Sequence, residues 1–432
     1  MERKVEKSLL HWKNSKNRKP LLLKGARQVG KTWSLLNFGK QYYKNVLYFN
    51  FESNNELQGV FERDLSPARI LNELSAFSGQ SIMKSDSLLI FDEIQSCERA
   101  LTSLKYFDEE APEYHIAAAG SLLGVAVNRS KYSFPVGKVD FLTMYPLDFE
   151  EYMTATGQSK ALSLIGDCFD HDQPCSLHQT FLDSYHKYLY VGGMPQVIKE
   201  WIETGDNNLM VAIQKNINDA YIADMAKYAS PSETVRIMAV FNSIPAQLAK
   251  ENRKFQYSRI KSGARAIHYE SAIDWLDAAG IIIKCIKTTS GSFPLTAWAD
   301  HMSFKTYLND TGLLCAKFGI PPSAFMGEIH GYDSIKGALS ENYVANALTA
   351  NGFSPYYWES QGKAEVDFVI QQNSGEVIPL EVKSSQHVRS KSLQQFVSKY
   401  NPHRSIRIST KNFGFENNIK SVPSYAVCFI KP

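Results

Sequence analysis

The chain has 432 residues, of which 44% are hydrophobic and 12% aromatic, with six cysteines and a formal net charge of +3. This apolar content supports packed cores in about three domains, so a disordered chain is excluded. The cysteines form no C-x-x-C pair and no apolar run is as long as a spanning helix, so we expect a reduced, cytoplasmic protein without a membrane partner.

The first elements surround a phosphate-binding sequence. The charged N-terminal segment lacks a secretory apolar stretch, and we expect an amphipathic helix that packs beside the first domain. An apolar run at residues 21–23 then precedes GARQVGKT, which fits G-x-x-x-x-G-K-[ST]. Backbone N–H groups of such a loop bind phosphate, and the following helix adds its positive dipole end. The predicted ATP-binding residues are Gly25, Ala26, Arg27, Gln28, Val29, Gly30, Lys31 and Thr32.

Strand and helix patterns alternate up to about residue 150. Residues 45–51 are β-rich, residues 67–79 have helical spacing, and residues 115–121 form a short apolar run. Another apolar run, SLLIFDE, ends in Asp92 and Glu93, as is typical of a strand buried on both faces of a parallel sheet. The alternation predicts an α/β domain with a parallel sheet over residues 1–155.

Two carboxylates after a buried strand are common in proteins of many functions. Paired with the phosphate loop, however, they predict Mg²⁺-dependent ATP hydrolysis. Mg²⁺ takes few protein carboxylates beside phosphate and water, so Thr32 and Asp92 are the predicted metal residues. Lys31 would contact the β- and γ-phosphates, and Glu93 would orient or deprotonate the attacking water.

Three further regions follow. Residues 156–255 have helical spacing, with a weak strand pattern only at residues 188–191, and we interpret them as a lid or linker. Residues 256–330 predict a winged-helix-like module: helices at 257–260 and 269–276, then a β-wing from strands near 280–286 and 305–309. Residues 331–432 predict a second α/β domain, with a helix at 340–349 and strands at 364–371, 377–383, 405–408 and 426–430.

A second group of candidate site residues lies in this last domain. Asp367 is near the start of one predicted strand, and Glu381 and Lys383 end the next, on one face because they are two residues apart. Two carboxylates can hold Mg²⁺ at a scissile phosphate, and a lysine can lower the pKa of the attacking water or stabilise developing charge.

Basic residues accumulate beyond this group. From residue 382 to residue 415 the chain has no Asp or Glu but has Lys383, Arg389, Lys391, Lys399, Arg404, Arg407 and Lys411. Such a strip either neutralises nucleic-acid phosphates or is a solvated surface. In the winged-helix candidate, Lys261, Arg265, His268 and Tyr269 lie where a recognition helix would meet DNA.

GARQVGKT, IFDEIQ and AAAGS resemble prokaryotic AAA+-type ATPases that carry a C-terminal domain of unknown function. The resemblance continues through YPLDFEEY, GGMP, KTYLNDTGL and the final domain, so it covers nearly the whole chain. It implies that Ser121 senses the γ-phosphate, although a small residue capping a strand is an equal alternative. Family members have Gly-Arg where this chain has Gly137 and Lys138, and a lysine cannot replace the bidentate phosphate contact of an arginine. Arg129 is then the nearest replacement for an arginine finger. Whether the chain forms a homo-oligomer stays open.

The C-terminal group resembles the PD-(D/E)XK nuclease superfamily, above all the archaeal Holliday-junction resolvase pattern. By that resemblance Glu341 is the helix acid, Asp367 and Glu381 are metal ligands, and Lys383 is the catalytic base or stabiliser. Because such folds also serve as binding modules, cleavage and binding without cleavage both remain open.

Two hypotheses follow for the whole chain. In the first, an ATPase with bound ATP and Mg²⁺ controls a C-terminal domain that binds nucleic acid, DNA rather than RNA, and whose nuclease activity stays open. In the second, ATP drives a conformational switch in a signalling or interaction protein, and the nuclease-like domain binds without cutting.

Overall fold

A computed structural model describes residues 1–121, 134–250, 253–323, 333–360, 364–383 and 391–432. Arg129 and Arg389, which the sequence suggested as phosphate contacts, lie outside the described residues. The chain folds into two compact units. One comprises Met1–Tyr145 with Ala278–Gly280, and the other comprises Pro146–Asp277 with Ile281–Pro432.

The first unit contains a parallel sheet with helices between its strands. The sheet has the strand order β2-β3-β4-β1-β5, and every strand pair is parallel. In chain order the elements are α1 (Val5–Asn14), β1 (Leu21–Lys24), α2 (Lys31–Tyr42), β2 (Asn45–Asn50), α3 (Glu56–Gly59), α4 (Pro67–Ser78), β3 (Ser87–Asp92), α5 (Glu98–Glu110), β4 (His115–Gly120) and β5 (Asp140–Thr143).

Burial explains why these segments form a parallel sheet. Every residue of β3 and β4 is buried, because helices cover both faces of the sheet, and this confirms the predicted α/β domain. The N-terminal prediction is also confirmed. Helix α1 buries Leu9 and Trp12 and packs against α2, and the Trp12 indole N–H donates to the carbonyl oxygen of Lys19 at 2.8 Å.

The second unit begins with helices. They are α6 (Phe149–Ala155), α7 (Ser159–His171), α8 (His178–Val191), α9 (Pro195–Thr204), α10 (Asn207–Tyr228), α11 (Pro231–Leu248) and α12 (Ala266–Ala278). The strand that was weakly predicted at residues 188–191 is wrong. These residues are the last turn of α8, and their continuous apolar run arises because they are buried among neighbouring helices. Within the winged-helix candidate, α12 does bury Ala272, Ile273, Trp275 and Leu276, as predicted.

A mixed sheet of eight strands follows in the same unit. Its elements are β6 (Ile282–Thr288), β7 (Ala299–Leu308), α13 (Thr311–Phe318), α14 (Asp333–Ala350), β8 (Tyr356–Ser360), β9 (Ala364–Gln371), β10 (Val377–Val382), α15 (Lys391–Tyr400), β11 (Ser405–Ser409), β12 (Gly414–Glu416) and β13 (Ile419–Pro423). The strand order is β12-β13-β11-β10-β9-β8-β6-β7.

Two expectations for this sheet differ from the structure. Strands β6 and β7 form an antiparallel hairpin, as expected for a wing, but β6 also pairs in parallel with β8, so the hairpin extends the C-terminal sheet. The strand predicted at residues 426–430 is instead a 3₁₀ turn over Ser424–Phe429, whose buried side chains give it a strand-like apolar pattern.

One buried aspartate joins three sequence motifs within the second unit. Asp310 of KTYLNDTGL accepts hydrogen bonds from the backbone N–H of Gly193 at 2.5 Å and of Leu313 at 2.8 Å. Gly193 of GGMP accepts a hydrogen bond from the N–H of Leu147, in YPLDFEEY, at 2.7 Å. An added Cβ at Gly193 would lie 2.1 Å from the Leu147 carbonyl oxygen, so these motifs fix a close backbone approach.

Candidate functional sites

The phosphate loop lies at the carboxyl edge of the parallel sheet, directly after β1. The strand register aligns Lys24 with Gly120, so the ends of β1 and β4 are side by side. Gly25 and Gly30 have φ of 151° and 96°, backbone conformations that favour glycine. A Cβ at Gly25 would also lie 2.1 Å from the carbonyl oxygen of Met144, so space as well as conformation requires glycine there.

Lys31 is the first residue of α2, and its amine is turned back onto the loop. Its Nζ donates hydrogen bonds to the carbonyl oxygens of Gly25 at 2.9 Å and Ala26 at 2.8 Å. The residue is only 7% exposed. The ammonium is therefore held inside the loop, where it would face a phosphate group.

Asp92, at the end of β3, lies beside the first turn of α2. Its Oδ2 accepts hydrogen bonds from Thr32 Oγ1 at 2.8 Å and from the Tyr48 hydroxyl at 2.7 Å. Its Oδ1 accepts from the backbone N–H of Glu93 at 3.1 Å. The structure thus brings together the two predicted metal residues, and Tyr48 is a partner that the motifs do not include.

Glu93 occupies a strained backbone position next to Asp92. Its φ is 50°, which is uncommon for a residue other than glycine, and Gln95 Nε2 donates to its Oε2 at 2.5 Å. Burial raises the pKa of the Glu93 carboxyl, and the hydrogen bond from Gln95 offsets part of that rise. A carboxylate with a raised pKa is a stronger base, as water activation requires.

Ser121 completes the edge of the sheet after β4. It is buried, and its Oγ has no hydrogen-bond partner among the residues that the structure describes. A buried hydroxyl without a partner is costly, so a ligand oxygen would stabilise it. Together, the glycine loop, Lys31, the Thr32–Asp92 pair and Ser121 fit a nucleoside triphosphate with its Mg²⁺.

Two basic residues take part in contacts that the motifs do not reveal. Arg3 donates from NH1 to the carbonyl oxygen of Val29 at 2.8 Å and from NH2 to that of Tyr145 at 2.7 Å, so it braces the phosphate loop. Lys138, where the resembled family has arginine, forms ion pairs with Asp108 at 3.4 Å and Glu109 at 3.1 Å.

The second candidate site lies on the C-terminal sheet, within the second unit. Strands β9 and β10 are antiparallel neighbours, and Asp367 Oδ2 accepts a hydrogen bond from the Val382 N–H at 2.8 Å. Lys383 Nζ lies 2.5 Å from Glu381 Oε1, while Glu381 Oε2 is buried without a hydrogen-bond partner among the described residues. The sheet therefore brings Asp367, Glu381 and Lys383 together.

Glu341, on α14, approaches the same group but is already surrounded by donors. Its carboxylate accepts from the Tyr307 hydroxyl, pairs with Arg253, and lies 3.2 Å from Lys305 Nζ. Lys305 is fully buried and also pairs with Glu365 at 2.6 Å. No sequence motif indicates this cluster, because a lysine in a strand is normally exposed.

These charges shift the pKa values at the C-terminal site. Burial, followed by the charges of Glu341 and Glu381, raises the pKa of the Asp367 carboxyl to about 7. Burial lowers the pKa of Lys383, but Asp367 and Glu381 raise it more, so the net shift is upwards. Lys383 is accordingly an ammonium that can stabilise negative charge, and it is a poor base in this environment.

The basic strip is spread over several elements. Lys391, Lys399 and Lys411 are exposed, whereas Arg404 pairs with Glu376 at 3.3 Å. Arg407 is on β11, where the register places it beside Glu381 of β10. The strip therefore does not form one continuous surface on one element.

No group of three His, Cys, Asp or Glu side chains is placed to hold a metal ion in the described part of the chain. Asp367 and Glu381 remain a candidate metal site of two carboxylates, and the Glu381 oxygen without a hydrogen-bond partner is compatible with a cation between them. Among the described helices, every one is too short or too polar to cross a membrane.

The parallel sheet and the loop at its carboxyl edge define a P-loop nucleotide-binding domain. Residues 17–153 match the family described as AAA domain, in agreement with that fold and loop. Residues 182–324 match a domain of unknown function, DUF8612, and residues 336–426 match another, DUF4143. No curated protein matches the chain.

Solved structures include distant likenesses. The Walker-type ATPase of Pyrococcus abyssi is 15% identical with a TM-score of 0.45, covering 73% of this chain and 95% of that chain. The Aeropyrum pernix ORC1 protein in complex with DNA is 11% identical with a TM-score of 0.30, covering 75% and 92%. Drosophila ORC bound to DNA is 12% identical with a TM-score of 0.27, covering 73% and 93%. At TM-scores this low, the likenesses support no conclusion about this chain.

Proposed function

We propose that this protein is a Mg²⁺-dependent ATPase whose nucleotide state controls nucleic-acid binding by its C-terminal sheet. The observation that carries the ATPase assignment is the convergence of Lys31, Thr32 and Asp92 on the phosphate loop. The match of residues 17–153 to the family described as AAA domain supports the same assignment.

Each residue of the first site has a role in this proposal. Lys31 would exchange its loop carbonyls for the β- and γ-phosphates, because an ammonium binds phosphate more strongly than a neutral carbonyl. Thr32 and Asp92 would hold Mg²⁺, which supplies charge neutralisation at the phosphates. Glu93 would orient or deprotonate the water, and Ser121 would contact the γ-phosphate.

The ATPase test uses two substitutions with matched controls. Lys31→Ala is expected to weaken binding of a fluorescent ATP analogue by roughly 10- to 100-fold, because charge-assisted contacts are lost. Glu93→Gln is expected to keep binding but lower kcat by about 100- to 10,000-fold. Exposed Lys40→Ala and Glu56→Gln serve as controls. Hydrolysis at the wild-type rate in both site variants would disprove the assignment.

The C-terminal proposal rests on exposed basic side chains of the second unit and on the neighbouring carboxylates of Asp367 and Glu381. Residues Lys391 and Lys411 are exposed, as are Lys261, Arg265 and His268 before and at the start of α12. Exposed cations of this kind neutralise phosphates, and duplex DNA is the ligand that we favour over RNA. The exposed cations before and at the start of α12 support the winged-helix-like interpretation. The carboxylates of the C-terminal sheet support the nuclease-like interpretation.

Control by nucleotide is tested by binding. The Glu93→Gln variant, with and without ATP, is titrated into labelled single-stranded DNA, duplex DNA and RNA. We expect affinities for DNA that differ between the ATP-bound and nucleotide-free protein. Equal affinities in both states would refute control by nucleotide, whereas no binding to any nucleic acid would favour a protein-directed conformational switch.

Phosphodiester hydrolysis is a second candidate function of the C-terminal sheet. It is favoured by one specific observation, the unpartnered Glu381 oxygen beside Asp367 and Lys383. Asp367 and Glu381 would hold Mg²⁺, and Lys383 would stabilise developing charge. Mg²⁺-dependent cleavage that is lost in Asp367→Asn and in Lys383→Met would support it, and intact DNA after incubation with wild-type protein would refute it.

A further inference from the structure

Three adjacent strands of the C-terminal sheet carry charged side chains in one row. Asp367 is on β9, Glu381 on β10 and Arg407 on β11, and the parallel register pairs Glu381 directly with Arg407. Side chains at paired positions of neighbouring strands lie on the same face of the sheet. Arg407 is therefore next to the carboxylate pair on the side opposite Asp367.

Among the described residues, the other basic side chains around this row are in ion pairs. Glu341 pairs with Lys305 and Arg253, while Glu381 pairs with Lys383. Arg407 forms no ion pair with any of the residues that the structure describes, and its Nε is buried without a hydrogen-bond partner among them. Within the described part of this site, Arg407 is the cation that lacks an anion.

A buried N–H without an acceptor costs free energy, so the unpartnered Nε–H of Arg407 favours an anionic ligand. The guanidinium fork matches two oxygens of a phosphate group, which a lysine ammonium cannot do. The Glu381 oxygen without a partner requires the opposite kind of ligand, a cation or a donor. A phosphodiester accompanied by a divalent cation satisfies both.

We propose that Arg407 is the phosphate-binding residue of the C-terminal site, and that it holds one nucleic-acid phosphate beside Asp367 and Glu381. This inference rests on the proposed function, because it takes nucleic acid as the ligand of this sheet. It distinguishes Arg407 from the exposed lysines of the basic strip, which would contribute only sequence-independent electrostatic attraction to the nucleic-acid backbone.

The test measures binding of full-length protein to fluorescein-labelled single-stranded and duplex DNA 20-mers over a series of NaCl concentrations. Arg407→Met is expected to weaken binding by roughly 10- to 100-fold. The slope of log K against log salt should fall by about 0.9 for duplex DNA or about 0.7 for single-stranded DNA, as expected for one lost phosphate contact. Arg407→Lys, which keeps the charge but loses the fork, should bind more weakly than wild type with an unchanged slope.

The matched control is Arg236→Met, which removes an exposed arginine from α11 in the same unit and should change neither affinity nor slope. ATP hydrolysis and the thermal unfolding midpoint report whether each variant is folded. If Arg407→Met is unfolded, the DNA affinity of Arg407→Lys relative to wild type decides whether Arg407 binds a phosphate. Wild-type affinity in Arg407→Met or in Arg407→Lys would overturn the inference and leave the proposed function standing. Wild-type protein that binds neither oligonucleotide would overturn both.

Discussion

The hydroxyl of Tyr48 donates a 2.7 Å hydrogen bond to Oδ2 of Asp92, the oxygen that also accepts from Thr32. Tyr48 is on β2, and the register places it beside β3. With Oδ1 bonded to the Glu93 N–H, both carboxylate oxygens of Asp92 are held by hydrogen bonds. A neighbouring strand thus orients the predicted metal residue.

Tyr48→Phe tests this orienting contact. The residue is 42% exposed, so loss of the hydroxyl should cost the fold only about 1 kcal/mol. We expect an ATPase rate roughly tenfold lower and a higher Mg²⁺ concentration for half-maximal activity, with ATP affinity in the absence of Mg²⁺ unchanged. Tyr106→Phe, on α5, is the control. An unaltered Mg²⁺ dependence in Tyr48→Phe would show that Tyr48 does not orient Asp92.

Gly193→Ala should destabilise the second unit. The added methyl carbon would lie 2.1 Å from the Leu147 carbonyl oxygen, so the backbone itself must move. We expect a loss of about 1–3 kcal/mol or more in the free energy of unfolding, measured with urea. Gly414→Ala provides the control, since its Cβ would meet no atom within 4 Å. Equal unfolding midpoints for the two variants would contradict the close approach.

Asp310 should make stability depend on pH. Burial raises the pKa of its carboxyl to about 6, against about 3.9 in an unfolded chain. The folded state then binds the proton more tightly between these values, so the contribution of Asp310 to stability falls as pH rises from about 4 to 6. The linked change is about 3 kcal/mol.

Asp310→Asn removes this titration and is the variant to compare. The unfolding free energy of wild type minus that of Asp310→Asn should decrease from pH 4 to pH 6 and then become constant. Asparagine also loses one acceptor contact, which shifts the whole profile but does not change its slope. Parallel profiles for the two proteins across this range would refute the prediction.

Lys305→Met should be strongly destabilising. It removes the buried cation that Glu341 and Glu365 share, so that Arg253 is the remaining ion-pair partner of Glu341, and breaking a buried pair in this way costs about 3–5 kcal/mol. Adding Glu341→Gln should restore part of that loss, because it removes one of the buried negative charges that Lys305 had balanced. The coupling is measured by a double-mutant cycle of unfolding free energies. Strictly additive effects would show that the pair does not interact.

The fold of the first unit could be predicted from the sequence because its signals are local. The phosphate loop is eight consecutive residues, and buried parallel strands are continuous apolar runs such as that ending in Asp92. The parallel α/β prediction is confirmed. Tyr48 could not be predicted, since its partner is 44 residues away and depends on strand order.

The C-terminal region was less predictable because its contacts are distant in sequence. The apolar segments at residues 188–191 and 426–430 are buried in a helix and a 3₁₀ turn, so hydrophobicity alone did not identify their structure. The proximity of Asp367, Glu381 and Lys383 was predicted from two strands in succession. The roles assigned to these residues, like those of the ATP site, remain predictions.

The pairing of β6 with β8 has a practical consequence for dividing the chain into fragments. A fragment starting at residue 331 would lose β6 and β7 and leave the edge of β8 open, with its backbone N–H and C=O groups unpaired. Open edges of this kind recruit other chains and promote aggregation. During synthesis, the β6–β7 hairpin must likewise wait for β8, more than sixty residues downstream of the start of β6, before that edge is covered. A soluble C-terminal fragment therefore needs to include the hairpin.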